Sequence, residues 1–410
     1  MPRPCRLLLL TYCFPPSAVP EAFLSAKRLG RLPGHEVDVV SIDPAGSGIR
    51  IDTSLDDYVR SHFAGIRRVP LPQPLMRLLG RRASAVFQLP GLVAMMNRRM
   101  LRAVRTLDLG GYRALITWSQ WHAIHMVGES VKRDNPGLPW IAHFSDPWSA
   151  NPFAPLGGAL RPLHRRQEAR VFAAADRLLL TSQETVDLMF SGPNARHRHK
   201  TRYLPHGFEP DLYATPARSP DGPHVLRSLG SFYGARSPAP LFAALARLAG
   251  RQPDLFERIR VELIGSIPAE FRADPALRGL PPGAVTMLAP VDYRASLALM
   301  RGSDLLLNID APAALSVFLP SKLVDYLGAE RPILGITPRG AAAEVITAMG
   351  GWVADPTDPD GIADALATAI PTLRRDAGRP WGRADLRRTF AAATLRERFA
   401  GIVDEAAGGA

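Results

Sequence analysis

Only two cysteines, Cys5 and Cys13, occur in 410 residues, and their spacing fits no metal-binding or dithiol motif. That excludes a disulfide scaffold, and both thiols read as small buried hydrophobes of a reducing cytoplasm. Lysine is almost as scarce: Lys27, Lys132, Lys200 and Lys322 are the whole set, so arginine carries the net charge of +12. No apolar run approaches the roughly 18–20 residues needed to cross a bilayer. The arginines are spread along the chain and not gathered on one face among stacking aromatics, which argues against nucleic acid as a partner. No period-2 alternation is sustained, which excludes a β-sandwich or barrel.

What is present is an alternation of short apolar runs and amphipathic stretches. The length exceeds one ordinary core, so two domains are expected. In the opening segment Arg3 and Arg6 precede Leu7-Leu8-Leu9-Leu10, but Pro15-Pro16 follows where a secretion signal needs a small-residue cleavage site. A buried first strand over 6–12 is the expectation instead. A helix over 21–32 and a strand over 36–42 complete a βαβ unit, which implies a parallel sheet. Strands at 114–118, 140–144 and 177–181 continue it, with helices at 121–131, 161–175 and 183–190. Residues 209–223, rich in Pro, Ala, Asp and Gly, read as a linker. A second series follows, with strands at 224–228, 258–264, 285–288, 304–309 and 332–336 and helices at 238–249, 292–301, 322–327, 342–349 and 358–370. The expected class is α/β: two doubly wound parallel-sheet domains at 1–208 and 224–383, then an amphipathic helix over 384–406.

Residues 67–105 stand apart. Arg67, Arg68, Arg77, Arg81, Arg82, Arg98, Arg99, Arg102 and Arg105 interleave with Leu75, Met76, Leu79, Phe87, Leu89, Leu92, Val93, Met95 and Met96. Such a basic amphipathic stretch can lie on an anionic membrane surface, or can be a helix pair packing its apolar side on the sheet.

In open α/β sheets the ligand lies beyond the carboxyl ends of the strands. Pro16, Ser17, the run from His143 to Trp148, His206 and Gly207 fall there in the first domain. Gly230, Tyr233, Arg236, Gly265, Ser266, Asp310 and residues 319–325 fall there in the second. The sharpest local signal is Leu319-Pro320-Ser321-Lys322-Leu323-Val324-Asp325-Tyr326-Leu327. Pro320 and Ser321 open a helix, so free N–H groups and a positive dipole end face the ligand side. Lys322 sits in the first turn, where a cation opposes the dipole; that is poor for stability and apt for a bound phosphate. Asp325, one turn on, can reach the same side. His143 and Asp146, at a strand end, are the side chains best placed to deprotonate or orient an acceptor hydroxyl. Two plainer roles compete: His143 facing the core, and Asp146 capping a turn. Asp358-Pro359-Asp360 has the spelling of a metal-binding Asp-x-Asp, but it precedes a helix, so capping accounts for it and no metal is expected.

These segments together resemble the glycosyltransferase family 4-like group, in its Pro-Ser-Lys branch of the bacterial surface-polysaccharide type. Phe14-Pro15-Pro16 with Gly34-His35-Glu36-Val37 is similar to the family's opening, and Asp146-Pro147-Trp148 to a first-domain loop. Leu204-Pro205-His206-Gly207-Phe208-Glu209 resembles its Pro-Asn-Gly-Phe-Asp turn. Gly230-Ser231-Phe232-Tyr233-Gly234 with Arg236-Ser237-Pro238 resembles its second-domain phosphate loop. The resemblance covers nearly the whole chain and implies the GT-B fold, two Rossmann-like domains facing across a cleft, with the final helix crossing back to the first. It implies a retaining glycosyltransferase that moves a sugar from a nucleotide-diphosphate sugar to a glycan, lipid-linked or small-molecule acceptor, without metal or cofactor. Carried over, Lys322 and Arg236 are the cations on the donor diphosphate, and the backbone of Pro320 to Lys322 cradles it. Asp325 stands for the acid that binds the ribose hydroxyls, and Gly230 and Tyr233 belong to the phosphate loop. Pro16, Ser17, Trp148, His206 and Gly207 fall on the acceptor side or the cleft. The chain departs from the family in two places: Val317 stands where its first Glu would be, and Ala18-Val19-Pro20 replaces its Gly-Gly. Those departures keep a non-catalytic scaffold of the same fold as an alternative. A sugar-nucleotide epimerase shares the fold but calls for more carboxylates and histidines converging on one sugar. A lipid-linked acceptor would bring this cytoplasmic enzyme to the inner membrane face, with residues 67–105 as the means of attachment.

Overall fold

The computed structural model describes residues 4–79, 87, 89–151, 160–214, 222–373 and 380–408. The chain divides into two compact units, Met1–Gly207 with Ala392–Ala410, and Phe208–Ala391. Residues 215–221, seven of the fifteen in the expected linker, lie outside the described residues.

The first unit is a seven-stranded sheet in the order β3-β2-β1-β4-β5-β6-β7. Its strands are β1 (Cys5–Thr11), β2 (His35–Ile42), β3 (Gly65–Val69), β4 (Tyr112–Trp118), β5 (Trp140–Phe144), β6 (Arg177–Leu180) and β7 (Thr201–Tyr203), all paired in parallel. Leu7, Leu8, Leu9 and Leu10 are all fully buried. A central parallel strand is covered on both faces, which is why its run is apolar without alternation. Strand order reverses between β1 and β4, so their carboxyl ends mark the unit's ligand side.

The second unit is a six-stranded parallel sheet in the order β10-β9-β8-β11-β12-β13. Its strands are β8 (His224–Leu229), β9 (Ile259–Ile264), β10 (Val285–Leu288), β11 (Leu305–Ile309), β12 (Ile333–Ile336) and β13 (Trp352–Ala354). Here the order reverses between β8 and β11. The core is built of Leu305 and Leu307 of β11 with Leu241, Phe242 and Leu245 of helix Ala239–Arg251 and Ile362 and Leu366 of helix Pro359–Ala369.

Three local expectations need correction. Strand β3 and helix Asp56–His62 lie where the sequence pattern is silent. β3 is an edge strand paired only with β2, and its arginines Arg67 and Arg68 break any apolar pattern. The stretch 121–131 opens with the 3₁₀ turn His122–Ile124, and helix His125–Asp134 follows. The single helix over 384–406 is two helices, Ala384–Arg388 and Ala392–Ala406. Between them the Phe390 carbonyl accepts the Phe208 N–H at 3.1 Å. Helix Ala392–Ala406 belongs to the first unit, where Asp404 pairs with Arg113 at 2.8 Å and Arg396 donates to the Lys27 carbonyl at 2.8 Å.

The basic stretch forms helices Gln73–Leu79 and Pro90–Val104. Met76, Met96, Met100 and Val104 are buried, and Leu92, Val93 and Met95 pack against the same core. Arg67 donates to the Ala103 carbonyl, Arg99 to the Pro70 carbonyl, and Arg105 pairs with Asp134. Outward there remain Arg77, Arg98, Arg102, Leu89 and Leu78, the last 84% exposed. Arg81 and Arg82 lie outside the described residues. No helix among the described residues is long and apolar enough to cross a membrane.

Candidate active site

At the strand-order reversal of the second unit the backbone comes very close to itself. Gly230 follows β8 with φ +119° and Gly265 follows β9 with φ +151°. A Cβ on Gly265 would stand 2.0 Å from the Gly230 carbonyl oxygen, so the two loops touch main chain to main chain. Tyr326 fixes the same end from inside: its hydroxyl accepts the Leu229 N–H at 2.8 Å.

Helix Ser321–Ala329 points its N-terminus at this end, with Pro320 as the residue before it. The first N–H groups of a helix have no acceptor within it and carry about half a positive charge between them. Lys322, in that first turn, is part-buried and donates Nζ–H to the Ile309 carbonyl at the end of β11, 2.8 Å away. Burial, and next the charge of Arg236, push its ammonium down to about 7, against the opposing pull of Asp310.

Arg236 is held from two sides. Its guanidinium lies 5.2 Å from the Tyr233 ring centroid, and one nitrogen is 3.3 Å from Asp310 Oδ1. Asp310 Oδ2 accepts from Asn308 Nδ2 at 2.6 Å and from Thr337 Oγ1 at 2.9 Å. One carboxylate on a rigid network thus holds Arg236, close enough to Lys322 for their charges to act on each other, and Tyr233 remains 68% exposed. Gly230, Tyr233, Arg236, Pro320, Ser321 and Lys322 therefore share one end of one sheet. Asp325 sits deeper than its place in the motif suggests. It is buried, and both of its carboxylate oxygens accept the Tyr293 hydroxyl, at 3.0 and 3.1 Å.

In the first unit the strand ends carry buried polar groups. His143 is fully buried with its ring stacked on Trp118 at 3.5 Å, and neither ring nitrogen has a hydrogen-bond partner among the described residues. Burial, then the charge of Arg28, hold it well below the usual imidazole range, so it is a neutral ring of the core. Asp146 is part-buried, and burial pushes its carboxyl up to about 6. Its main-chain carbonyl accepts from His122 Nε2 at 2.9 Å, and the His122 ring stacks on Trp148, 5.4 Å between centroids. His206 is buried, and burial and the nearby Arg28 and Lys27 push it down to about 3. Gly207 closes this part of the unit. Ser17 is buried in the loop after β1, and the Pro16 carbonyl of that loop accepts the Asp52 N–H at 2.8 Å.

Sequence reasoning missed one acid. Glu21, in the first turn of helix Pro20–Leu29, accepts Trp118 Nε1–H at 2.8 Å. Burial pushes its carboxyl up to about 8, while hydrogen bonds from Ser145 and Trp118 hold it back. The signal was there in an acid one residue after a helix-opening proline beside the strand end, but a first-turn acid reads as a dipole partner. Asp310, expected among the strand-end residues of the second domain, lies there directly after β11. Asp358, in contrast, caps helix Pro359–Ala369 by accepting from Asp360 N and Gly361 N. Among the described residues no group of three or more side chains is arranged to hold a metal ion.

No protein-family model matches the chain, and no curated protein matches it in sequence. Solved structures do match. Anabaena Alr3699/HepE in complex with UDP-glucose superposes with a TM-score of 0.66 at 17% identity, over 98% of this chain and 99% of that one. The fold is GT-B. A UDP-forming α,α-trehalose-phosphate synthase from Burkholderia xenovorans gives 0.68 at 13% identity, over 98% and 99% of the two chains. A glycosyltransferase from Rickettsia africae gives 0.65 at 10% identity, over 99% and 100%. At such identities the GT-B likeness is one of fold, and it spans both units.

Proposed function

We propose that this chain is a glycosyltransferase that moves a sugar from a nucleotide-diphosphate sugar to an acceptor hydroxyl. The observation that carries the reading is the pairing of Lys322 and Arg236 beside a helix N-terminus, at the point where strand order reverses in the second unit. That is the place and the chemistry for a diphosphate. Neighbours of the same fold were solved with UDP and with UDP-glucose, which supports a nucleotide sugar as donor.

In such a transfer the bond between the anomeric carbon and the diphosphate oxygen breaks, and negative charge grows on the leaving diphosphate. Lys322, Arg236 and the N–H groups of Ser321 and Lys322 neutralise that charge with groups already in position. A metal is not required for this, and we propose a metal-independent, retaining reaction. Asp325, shared with Tyr293, takes the ribose hydroxyls. The acceptor hydroxyl loses its proton to Asp146 of the first unit, whose carboxyl burial lifts to about 6, leaving it mostly ionised at neutral pH. His143 is assigned a packing role beside Trp118. The acceptor is a glycan or a lipid-linked saccharide of surface-polysaccharide synthesis. Arg77, Arg98 and Arg102 with Leu78 and Leu89 then hold a cytoplasmic enzyme at the inner membrane face.

The test is a thermal-shift series with UDP-, GDP-, ADP- and dTDP-sugars, with and without a chelator. One nucleotide sugar is expected to raise the melting temperature alike in both conditions; at 100 times its Kd it adds about 2.7 kcal/mol of stability. Absence of any shift across the four would contradict the reading.

A further inference from the structure

The second unit has a cavity of about 480 Å³ at the far end of helix Ser321–Ala329 from Lys322. One wall is Gly328, where a Cβ would stand 2.4 Å from Tyr213 Oη and 2.6 Å from Phe208 Cδ2, so that glycine alone lets both rings lie on the helix. Tyr213 donates its hydroxyl to the Asp325 carbonyl at 2.7 Å. At 1.5 Å per residue, Gly328 lies roughly 9 Å along the axis from Lys322, so the cavity is separate from the donor residues.

The charge in this cavity is unbalanced. Arg301, Arg387 and Arg388 line it with a single acid, Glu330. The Glu330 carboxylate is divided between Arg387 at 3.2 Å and Arg301 at 3.6 Å. Arg387 is only 6% exposed, it donates to the Trp381 carbonyl, and its Nε–H has no acceptor among the described residues. Arg388 is exposed and has no ion-pair partner among the described residues. The carboxyl ends of helices Tyr293–Arg301 and Ser321–Ala329 lie on this side, and each offsets only about half a charge. Side chains placed merely to cap those helix ends would not leave a buried guanidinium N–H unanswered beside an unpaired arginine.

We infer that this cavity binds a small phosphomonoester through Arg301, Arg387 and Arg388, at a site distinct from the nucleotide-sugar site. The planar guanidinium fork matches phosphate oxygens in pairs. A phosphomonoester brings about −1.5 to −2 charges at neutral pH, which meets the surplus. The volume is within the range of about 300–1,000 Å³ typical of small-molecule sites.

Calorimetric titration of the full chain with glucose 6-phosphate, with glucose and succinate as controls, tests this. Glucose 6-phosphate is expected to bind saturably, and glucose and succinate not to bind. Arg388→Ala, at an exposed position, and Arg301→Lys should each weaken binding at least tenfold while keeping the wild-type unfolding midpoint without ligand. Lys322→Ala should bind glucose 6-phosphate as the wild type does. No binding at millimolar concentration would overturn the inference, as would succinate binding equally well. Binding lost in Lys322→Ala and kept in Arg388→Ala would also overturn it, by putting the phosphate on the donor residues.

Discussion

Lys322 shows how a single residue can be poor for folding and useful for binding. Its ammonium faces a helix N-terminus and Arg236, and it is held near 7 by burial and that neighbouring charge. A bound diphosphate favours the protonated form, so the free protein must take up a proton to bind when the pH is above about 7. Donor affinity is therefore expected to fall as pH rises from 7 to 9, approaching tenfold per unit, with accompanying proton uptake in calorimetry. Proton uptake of zero across that range would contradict the assignment. At Gly265 both the positive φ and the 2.0 Å approach to Gly230 forbid a side chain. Gly265→Ala should cost about 3 kcal/mol of stability in denaturant unfolding. Gly234→Ala, with φ +59° and nothing within 4 Å of its Cβ, should cost about 1 kcal/mol.

Among the elements, buried central strands were legible, and of the edge strands β10 was while β3, β7 and β13 were not. The runs 7–10 and 305–307 announce themselves because a strand covered on both faces is mostly apolar. β3 has arginines at its centre and β13 is three residues long, so neither leaves a periodic signal. Amphipathic spacing continues across residues 389–391 and predicts one helix over 384–406, and the pairing of Phe208 with Ala391 divides it. Helix Pro90–Val104 raises a question of its own, because most of its apolar side is already packed inward. Membrane attachment then depends on Arg77, Arg98, Arg102, Leu78 and Leu89, each arginine contributing on the order of 1 kcal/mol at an anionic surface. Flotation with anionic vesicles at low salt should recover the protein, and high salt should release it. Arg98→Glu with Arg102→Glu should abolish recovery; equal absence from anionic and neutral vesicles at low salt would refute attachment.

At the scale of the whole molecule, two Rossmann-like units could be expected from the sequence because each repeats strand, helix and strand with short connections. The site was only partly legible. Local motifs pointed to the segment around Lys322 because a cation at a helix start is locally anomalous. The network that holds Arg236 was invisible, because Asn308, Asp310 and Thr337 meet only through the pairing of β11 with β12. The depth of Asp325 was likewise hidden, since its partner Tyr293 lies 32 residues away. The account stands most directly on donor binding by Lys322. The deciding measurement is the affinity for the stabilising nucleotide sugar, by calorimetry at pH 7, in the wild type and Lys322→Ala. The account predicts a loss of at least a hundredfold, about 2.7 kcal/mol, in a variant whose unfolding midpoint is no lower than the wild type's. Unchanged affinity in the folded variant would contradict it.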